Sequence, residues 1–297
     1  MIINDLSKTI NQKPVLKNLS FQLAPSEIVG LIGRNGSGKT TLFRLIAEHY
    51  LPDAGDIQVN GRSIFTDKHQ KQAIFFIDEK ENFLRAYSLQ RILGFYQKAY
   101  IDFDENLFLQ LIQQYQFRLS SLYRQLSKGN QRLVQIILAI CSNATYLLLD
   151  EPFDGLDVIV KKEVIGLMME HLGEHRSALI ASHNLNELEN LIDRALLLKD
   201  HTIFKDYHLE EMRQHARKIQ MVFKTKKVPL VVKEQSKLLS FQGRVITAIF
   251  ESYSEELEQA IKHFEPLLYE ELPLSLEDLF EANLKPKPHR LQKEVSL

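Results

Sequence analysis

Gly33-Arg34-Asn35-Gly36-Ser37-Gly38-Lys39-Thr40-Thr41 stands between the apolar run Ile28-Val29-Gly30-Leu31-Ile32 and a helical pattern carrying Leu42, Phe43, Leu45 and Ile46. The stretch reads G-x-x-x-x-G-K-[ST] in a strand–loop–helix setting, where a glycine-rich loop cradles phosphates. Gly33, Gly36 and Gly38 let the backbone curl until successive N–H groups face phosphate oxygens. Arg34, Asn35, Ser37 and Thr41 complete the cradle, and the helix opening near Lys39 turns its positive end to the same anion. Lys39 reaches the β- and γ-phosphates, and Thr40 offers its hydroxyl to Mg²⁺. The spelling predicts that the chain binds a nucleoside triphosphate.

The bulk properties narrow the class around that loop. With 297 residues, 44% of them hydrophobic and 25% charged, the chain has room for one large or two modest domains with real cores. A formal net charge of -1 supplies no global basic field, so no nucleic-acid partner is expected. The longest apolar runs, such as Leu133 to Ile140, fall short of the roughly 18–20 residues that span a bilayer. Met1-Ile2-Ile3-Asn4-Asp5 has neither the charged n-region nor the h-region of a secretory signal. The single cysteine, Cys141, excludes an internal disulfide framework and a multi-Cys metal site, and its apolar neighbours predict a small core residue. A cytoplasmic compartment fits these features.

Outward from the loop, the first stretch reads as strands and turns, with Asn60-Gly61 a strong hairpin signal between Ile57-Gln58-Val59 and Ser63-Ile64-Phe65. From Ser88, an N-cap candidate, to Phe117 the pattern is helical, with Leu107, Leu111 and Ile112 on one face. A β/α alternation follows: helix Gln131–Ile140, strand Tyr146–Leu149, helix Val158–Leu172, strand Ala178–Ala181, helix Leu185–Leu191 and strand Ala195–Leu198. Such alternation predicts an α/β fold with a mostly parallel sheet covered on both faces, the inserted helices forming a side lobe over about 80–140. After Phe204 the grammar changes to strands at Lys218–Lys224, Arg244–Phe250 and Leu267–Leu272, with helices at Tyr253–Phe264 and Leu276–Asn283. The expected division is therefore a nucleotide-binding domain over 1–210, a small α+β C-terminal domain over 211–284, and a Pro-rich basic tail, 285–297, expected to be disordered.

Tyr146-Leu147-Leu148-Leu149-Asp150-Glu151-Pro152 supplies the second half of the nucleotide chemistry. An apolar strand that ends in adjacent carboxylates sets Asp150 near the metal and Glu151 beside it, toward the γ-phosphate. Asp150 orders Mg²⁺, and Glu151 is placed to polarise an attacking water as general base. A core strand capped by solvated acids is the bland alternative.

Leu126-Ser127-Lys128-Gly129-Asn130 precedes a helix about twenty residues before Asp150. With this third element the chain resembles the ATP-binding subunits of ABC transporters, whose signature is usually L-S-G-G-Q. Leu126, Ser127 and Gly129 match, while Lys128 and Asn130 depart from the commonest form. The resemblance implies a P-loop NTPase fold of the ABC-ATPase type, in which Ser127 and Gly129 meet the γ-phosphate of ATP held by another subunit. Asp154-Gly155-Leu156-Asp157 looks like the D-loop, with Asp157 at the subunit contact. His183, just past the strand Leu179-Ile180-Ala181, matches the switch histidine, whose imidazole donates to the γ-phosphate. The remaining histidines named by context, His171, His175 and His208, are expected at the surface.

Two positions depart from the family's pattern. Ile10 stands where an aromatic residue usually stacks on adenine, which leaves the preference for ATP over GTP open. Val15 and Leu16 are candidates for part of the pocket wall. Ile74-Phe75-Phe76-Ile77-Asp78-Glu79 aligns with the segment that ends in the Q-loop glutamine, so Glu79, or Asp78 beside it, takes that place as a metal or water contact. The following Asn82-Phe83-Leu84-Arg85-Ala86-Tyr87 has two readings: a groove for a short helix of a membrane subunit, or aromatics packed inside the helical lobe. Pro273-Leu274-Ser275-Leu276-Glu277-Asp278-Leu279-Phe280 resembles the S-L-E-D-L-F segment of exporter ATPases with separately encoded membrane subunits, and Ser275 with Asp278 also spells a helix cap.

The resemblance thus implies an ATPase that uses ATP and Mg²⁺ to power export. Its expected partners are integral-membrane permease subunits and a second ATP-binding subunit, identical or paralogous, with the chain peripheral on the inner face of the membrane. An importer ATPase keeps the chemistry but reverses direction. A soluble non-transport ABC ATPase is the rival from another class, although only about 85 residues separate loop and signature, with no sustained heptads.

Overall fold

The structure, a computed structural model, describes residues 1–78, 83–173, 175–225 and 227–284. The chain divides into two compact units, Met1–Asp206 and a second that starts at Tyr207.

The first unit opens with β1 (Ile2–Ile10) and β2 (Lys13–Gln22), followed by β3 (Ile28–Gly33), α1 (Lys39–Ile46), β4 (Ala54–Val59) and β5 (Arg62–Ser63). A four-stranded sheet has the order β2-β1-β4-β5. Its last hairpin is the Asn60-Gly61 turn read from sequence: both residues have positive φ, 52° and 73°, and Val59 pairs with Arg62. Two positive φ values match the right-handed twist of the flanking strands, which is why Asn-Gly is favoured there.

Next come β6 (Ile74–Ile77), α2 (Leu89–Ala99), α3 (Glu105–Gln114), α4 (Lys128–Cys141), β7 (Tyr146–Asp150), α5 (Val158–His171), β8 (Ser177–Ala181), α6 (Leu185–Leu188), β9 (Arg194–Lys199) and β10 (Thr202–His208). The central sheet has the order β10-β9-β3-β8-β7-β6, with parallel pairing from β9 to β6. Every residue of β7 and β8 is buried, which matches their near-continuous apolar spelling: strands covered on both faces need not alternate. Parallel pairing brings the carboxyl ends of β3, β7 and β8 to one edge, the place where open α/β sheets bind ligands.

The helical stretch from Ser88 consists of two helices, α2 and α3. Ser88 caps α2 by accepting from the Arg91 N–H at 3.3 Å, and Asp104 caps α3 by accepting from the Leu107 N–H at 2.8 Å. The buried stripe of α3 is Phe108, Leu111 and Ile112, with Leu107 only half-buried, because an i, i+3, i+4 set faces one side. Cys141 is fully buried, and His175 and His208 are exposed while His171 is half-buried.

The second unit contains α7 (Leu209–His215), β11 (Arg217–Val222), α8 (Leu230–Gln235), β12 (Leu238–Gln242), β13 (Val245–Phe250), α9 (Glu255–Lys262), β14 (Leu268–Leu272) and α10 (Leu276–Leu284). The run β11-α8-β12-β13-α9-β14 and the antiparallel order β12-β13-β11-β14 form a split βαβ topology. Ile219, Met221, Val232, Phe250 and Ile261 fill one core of this unit, and Met212, Ile249 and Leu279 belong to another. The α+β expectation for this region thus acquires three elements that the sequence reading lacked: α7, α8 and β12. The helices α7 and α8 have seven and six residues, too few to display a helical period, and β12, Leu238-Leu239-Ser240-Phe241-Gln242, does not alternate strictly. At the start of α10, the Asp278 N–H donates to Ser275 Oγ at 3.1 Å and the Ser275 N–H donates to Asp278 Oδ2 at 3.0 Å. The helix-cap reading of that segment is therefore met by local chemistry. The basic tail, 285–297, lies outside the described residues.

Candidate active site

The phosphate loop leaves β3 at Gly33 and enters α1, whose N-cap is Gly38. Gly36 and Gly38 hold φ of 79° and 110°, values that side chains with a Cβ disfavour. Gly33 serves a different end. Its φ is not positive, but a Cβ there would lie 2.5 Å from Ser37 Oγ and 2.9 Å from the Leu198 carbonyl. It is required for close approach, and its contribution to curling the loop is indirect.

A cleft of about 570 Å³ is lined by Val15, Asn35 to Thr41, Asp150, Glu151, Asp154 and His183. The sheet register explains this convergence. Asp150 pairs with Ala181, Leu31 pairs with the same Ala181, and His183 lies two residues beyond it. Three sequence segments far apart in the chain therefore end at one point.

Lys39 is 7% exposed, and its Nζ donates to the Gly33 carbonyl at 2.7 Å. Burial lowers its pKa, with the Glu151 and Asp150 carboxylates acting in the opposite direction. An anion in the cleft would restore the preference for the charged form. Thr40 Oγ1 donates to Asp150 Oδ2 at 2.7 Å. Glu151 adopts φ of 47°, and its N–H donates to the Ala181 carbonyl at 2.9 Å. Its Oε2 accepts from the His183 N–H at 3.2 Å and lies 2.9 Å from His183 Nδ1. An ionised carboxylate only accepts, so Nδ1 is the donor in that contact.

The cleft suits a triphosphate and its metal. Ser37 Oγ is buried with no hydrogen-bond partner among the described residues, an orphan in the middle of the cradle that a phosphate oxygen can satisfy. Among the described residues no three His, Cys, Asp or Glu side chains gather as a metal cage. Mg²⁺ is commonly held by one or two protein oxygens together with substrate phosphates and water, and the Thr40–Asp150 pair fits that donor set.

Other residues named from sequence lie elsewhere. Ser127 caps α4, accepting from the Asn130 N–H at 3.2 Å, and Gly129 packs where a Cβ would meet Val160 at 3.2 Å. Asp157 caps α5 by accepting from the Ile159 and Val160 N–H groups at 2.9 and 3.0 Å. None of these three lines the cleft, whereas Asp154, read only as part of the same loop, does. Ile10 does not line it either; Val15 forms wall there, and Leu16 is buried behind Gly38. Asp78 is 7% exposed and accepts from Arg44 Nε and Nη2 at 3.1 and 3.0 Å, so its carboxylate is engaged with α1. Glu79 lies outside the described residues, as does Asn82. The two readings of the aromatic stretch divide: Leu84 is buried, while Phe83 is 56% exposed.

Arg132 was not singled out from sequence. It donates from Nη2 to the Glu151 carbonyl at 3.3 Å and from Nη1 to Gln135 Oε1 at 3.0 Å. The only signal available was a cation on the inward side of an apolar helix.

Fold and cleft together define a P-loop nucleoside triphosphatase. Residues 16–154 match the ABC transporter family. The ABC transporter ATP-binding protein YtrB of Bacillus subtilis is 33% identical over 282 residues, spanning 94% of this chain and 96% of its own length. An uncharacterized ABC transporter ATP-binding protein of Methanocaldococcus jannaschii, MJ1023, is 29% identical, spanning 94% and 97%. A solved ATP-binding subunit of an ABC transporter superposes with a TM-score of 0.65 at 25% identity, covering 72% of this chain and 91% of that one. Relatives at lower identity are named for either direction: a peptide export ATP-binding protein, SkfE of Bacillus subtilis, at 28%, and a probable sulfate/thiosulfate import protein, CysA of Chlorella vulgaris, at 27%. The chain belongs to the ATP-binding proteins of ABC transporters. It is an ATPase of the kind coupled to transport, and the subunits of this family dimerise and work with membrane permeases. Among the described residues, no helix is long and apolar enough to cross a membrane.

Proposed function

We propose that this chain powers export through a separate membrane permease, as one of two ATP-binding subunits that close on two nucleotides head to tail. The observation that carries the two-subunit arrangement is the separation of Ser127 and Gly129 from the cleft that holds Lys39, Asp150 and Glu151. Within that cleft the backbone of the loop, Ser37 and Lys39 bind the phosphates. Thr40 and Asp150 would hold Mg²⁺, which when bound neutralises charge on the phosphate oxygens. Glu151 takes a proton from water as the water oxygen bonds to the γ-phosphorus and the bond to the β–γ bridging oxygen breaks, releasing ADP and phosphate. His183 keeps the carboxylate oriented through its N–H and Nδ1 contacts. ATP then biases the closed pair and release of products reopens it, which drives the permease between conformations.

Export, as distinct from import, is supported by the Pro273–Phe280 segment and by the relative named for peptide export. The second unit is proposed as an accessory domain of the same subunit. The test is purification from detergent-solubilised membranes: the chain should carry an integral-membrane protein with it, and inside-out vesicles containing the pair should accumulate substrate on addition of ATP. A chain recovered alone and monomeric overturns the transporter reading. ATP-driven release from those vesicles overturns export alone.

A further inference from the structure

We propose that Arg132 is a positioning residue that ties the signature helix of a chain to the general base of that same chain. The inference rests on Glu151 being the base. Glu151 is held at three points, two from the end of β8 and the loop after it and one from α4. Its N–H donates to Ala181 at the end of β8, its carboxylate accepts from His183 beyond β8, and its carbonyl accepts from Arg132 on α4. The first two contacts come from the loop edge of the chain's own cleft. The third comes from the helix that Ser127 caps, and Ser127 does not line that cleft.

The backbone of Glu151 gives the third contact its leverage. At φ of 47° a residue with a Cβ sits in the left-handed region, where it is strained and persists only when its surroundings hold it. Rotation about the flanking bonds re-aims the carboxylate, and a misplacement of about 1 Å suffices to slow a reaction that depends on alignment. Arg132 is suited to the task because its planar fork is occupied on one side by Gln135, a turn along the same helix, so the other side is aimed rather than free to wander. Gly129, at the start of the same helix, is fitted against Val160 of α5, so α4 abuts Glu151 on one side of the intervening loop and the first turn of α5 on the other. A shift of α4 when Ser127 and Gly129 engage the nucleotide of the second subunit is thereby passed to Glu151 in the first. The coupling runs within one chain, from the half-site it lends to the half-site it owns.

The test uses the full-length chain in four forms: unchanged, Arg132→Met, Glu151→Gln and both together, with Mg-ATP as the probe. Arg132→Met should lower kcat by about tenfold or more while KM stays within about twofold, and ATP-bound dimer should accumulate on gel filtration as in Glu151→Gln. The double variant should turn over no more slowly than Glu151→Gln alone, because both changes act through one carboxylate. Arg132→Lys, which keeps one donor but not the fork, should fall between the two, and it carries the test if Arg132→Met fails to fold. A kcat within about twofold of the unchanged chain, or a double variant slower by the full product of the single effects, overturns the inference. Full turnover in Glu151→Gln alone would instead remove the base on which the inference rests.

Discussion

Thr40 Oγ1 donates a 2.7 Å hydrogen bond to Asp150 Oδ2, joining the first turn of α1 to the end of β7 across 110 positions of sequence. The pair presents two hard oxygens where the phosphate cradle ends. In the unchanged chain, EDTA should abolish ATP hydrolysis. In Asp150→Asn, hydrolysis should fall by about 10²-fold or more, while ATP affinity, measured by calorimetry, should become insensitive to EDTA. An affinity in that variant that still drops with EDTA removes Asp150 from the metal site.

Gly38 combines a φ of 110° with crowding: a Cβ would lie 2.8 Å from Leu16 Cδ2 and 3.0 Å from the Val15 carbonyl. Gly36, at 79°, has nothing within 4 Å. Gly38→Ala should therefore cost ATP binding by about 10²-fold or more, since the cradle must shift against β2, while Gly36→Ala pays only the backbone term of roughly 1–2 kcal/mol. Fluorescent nucleotide titration checks the ranking, and equal losses would show that crowding at Gly38 is relieved without cost.

Arg194 and Glu27 have side chains that are each 11% exposed, and Arg194 Nη1 donates to Glu27 at 3.2 Å and to the Gln22 carbonyl at 3.1 Å. Hydrogen bonding to Asp206 holds the guanidinium firmly in its charged form. Arg194→Met should destabilise the first unit by about 3 kcal/mol, because it leaves the Glu27 carboxylate nearly buried without its cation. Urea denaturation at neutral pH measures this, and adding Glu27→Gln should recover part of the loss. A change below about 1 kcal/mol would place the pair among ordinary surface ion pairs.

Cys141 is the chain's one thiol and is fully buried. Burial pushes its pKa up to about 12, with Asp104 acting in the same direction and Arg176 against it. The thiol stays protonated below that value in the folded state, so raising pH from 7 to about 9 should leave native labelling by a disulfide reagent negligible. One equivalent should react once urea unfolds the chain, where an ordinary thiol titrates near 8.5. Rapid native labelling that follows a titration in this range would show Cys141 to be accessible.

Much of the site is legible in contiguous residues. The loop at Gly33–Thr41 and the strand Tyr146–Asp150 with Glu151 are local spellings, and the Asn60-Gly61 turn and the Ser88 cap are likewise chemistry between near neighbours. Their physics acts over a few residues, so order along the chain suffices to read it. The same locality explains the omissions: α7 and α8 are too short to carry a helical period, and β12, Leu238-Leu239-Ser240-Phe241-Gln242, does not alternate strictly.

By itself the sequence determined that this protein carries the loop that grips a triphosphate, ends an apolar strand in adjacent carboxylates, and alternates strands with helices. The tertiary structure alone decided which distant groups meet. It set Asp78 against Arg44, brought Asp154 into the cleft, and placed Arg132 on the carbonyl of Glu151. The reason is the order of the central sheet. Parallel pairing of β3, β8 and β7 lines up the carboxyl end of β3 with those of β7 and β8, which lie more than a hundred residues further along the sequence, and no local pattern encodes that neighbourhood.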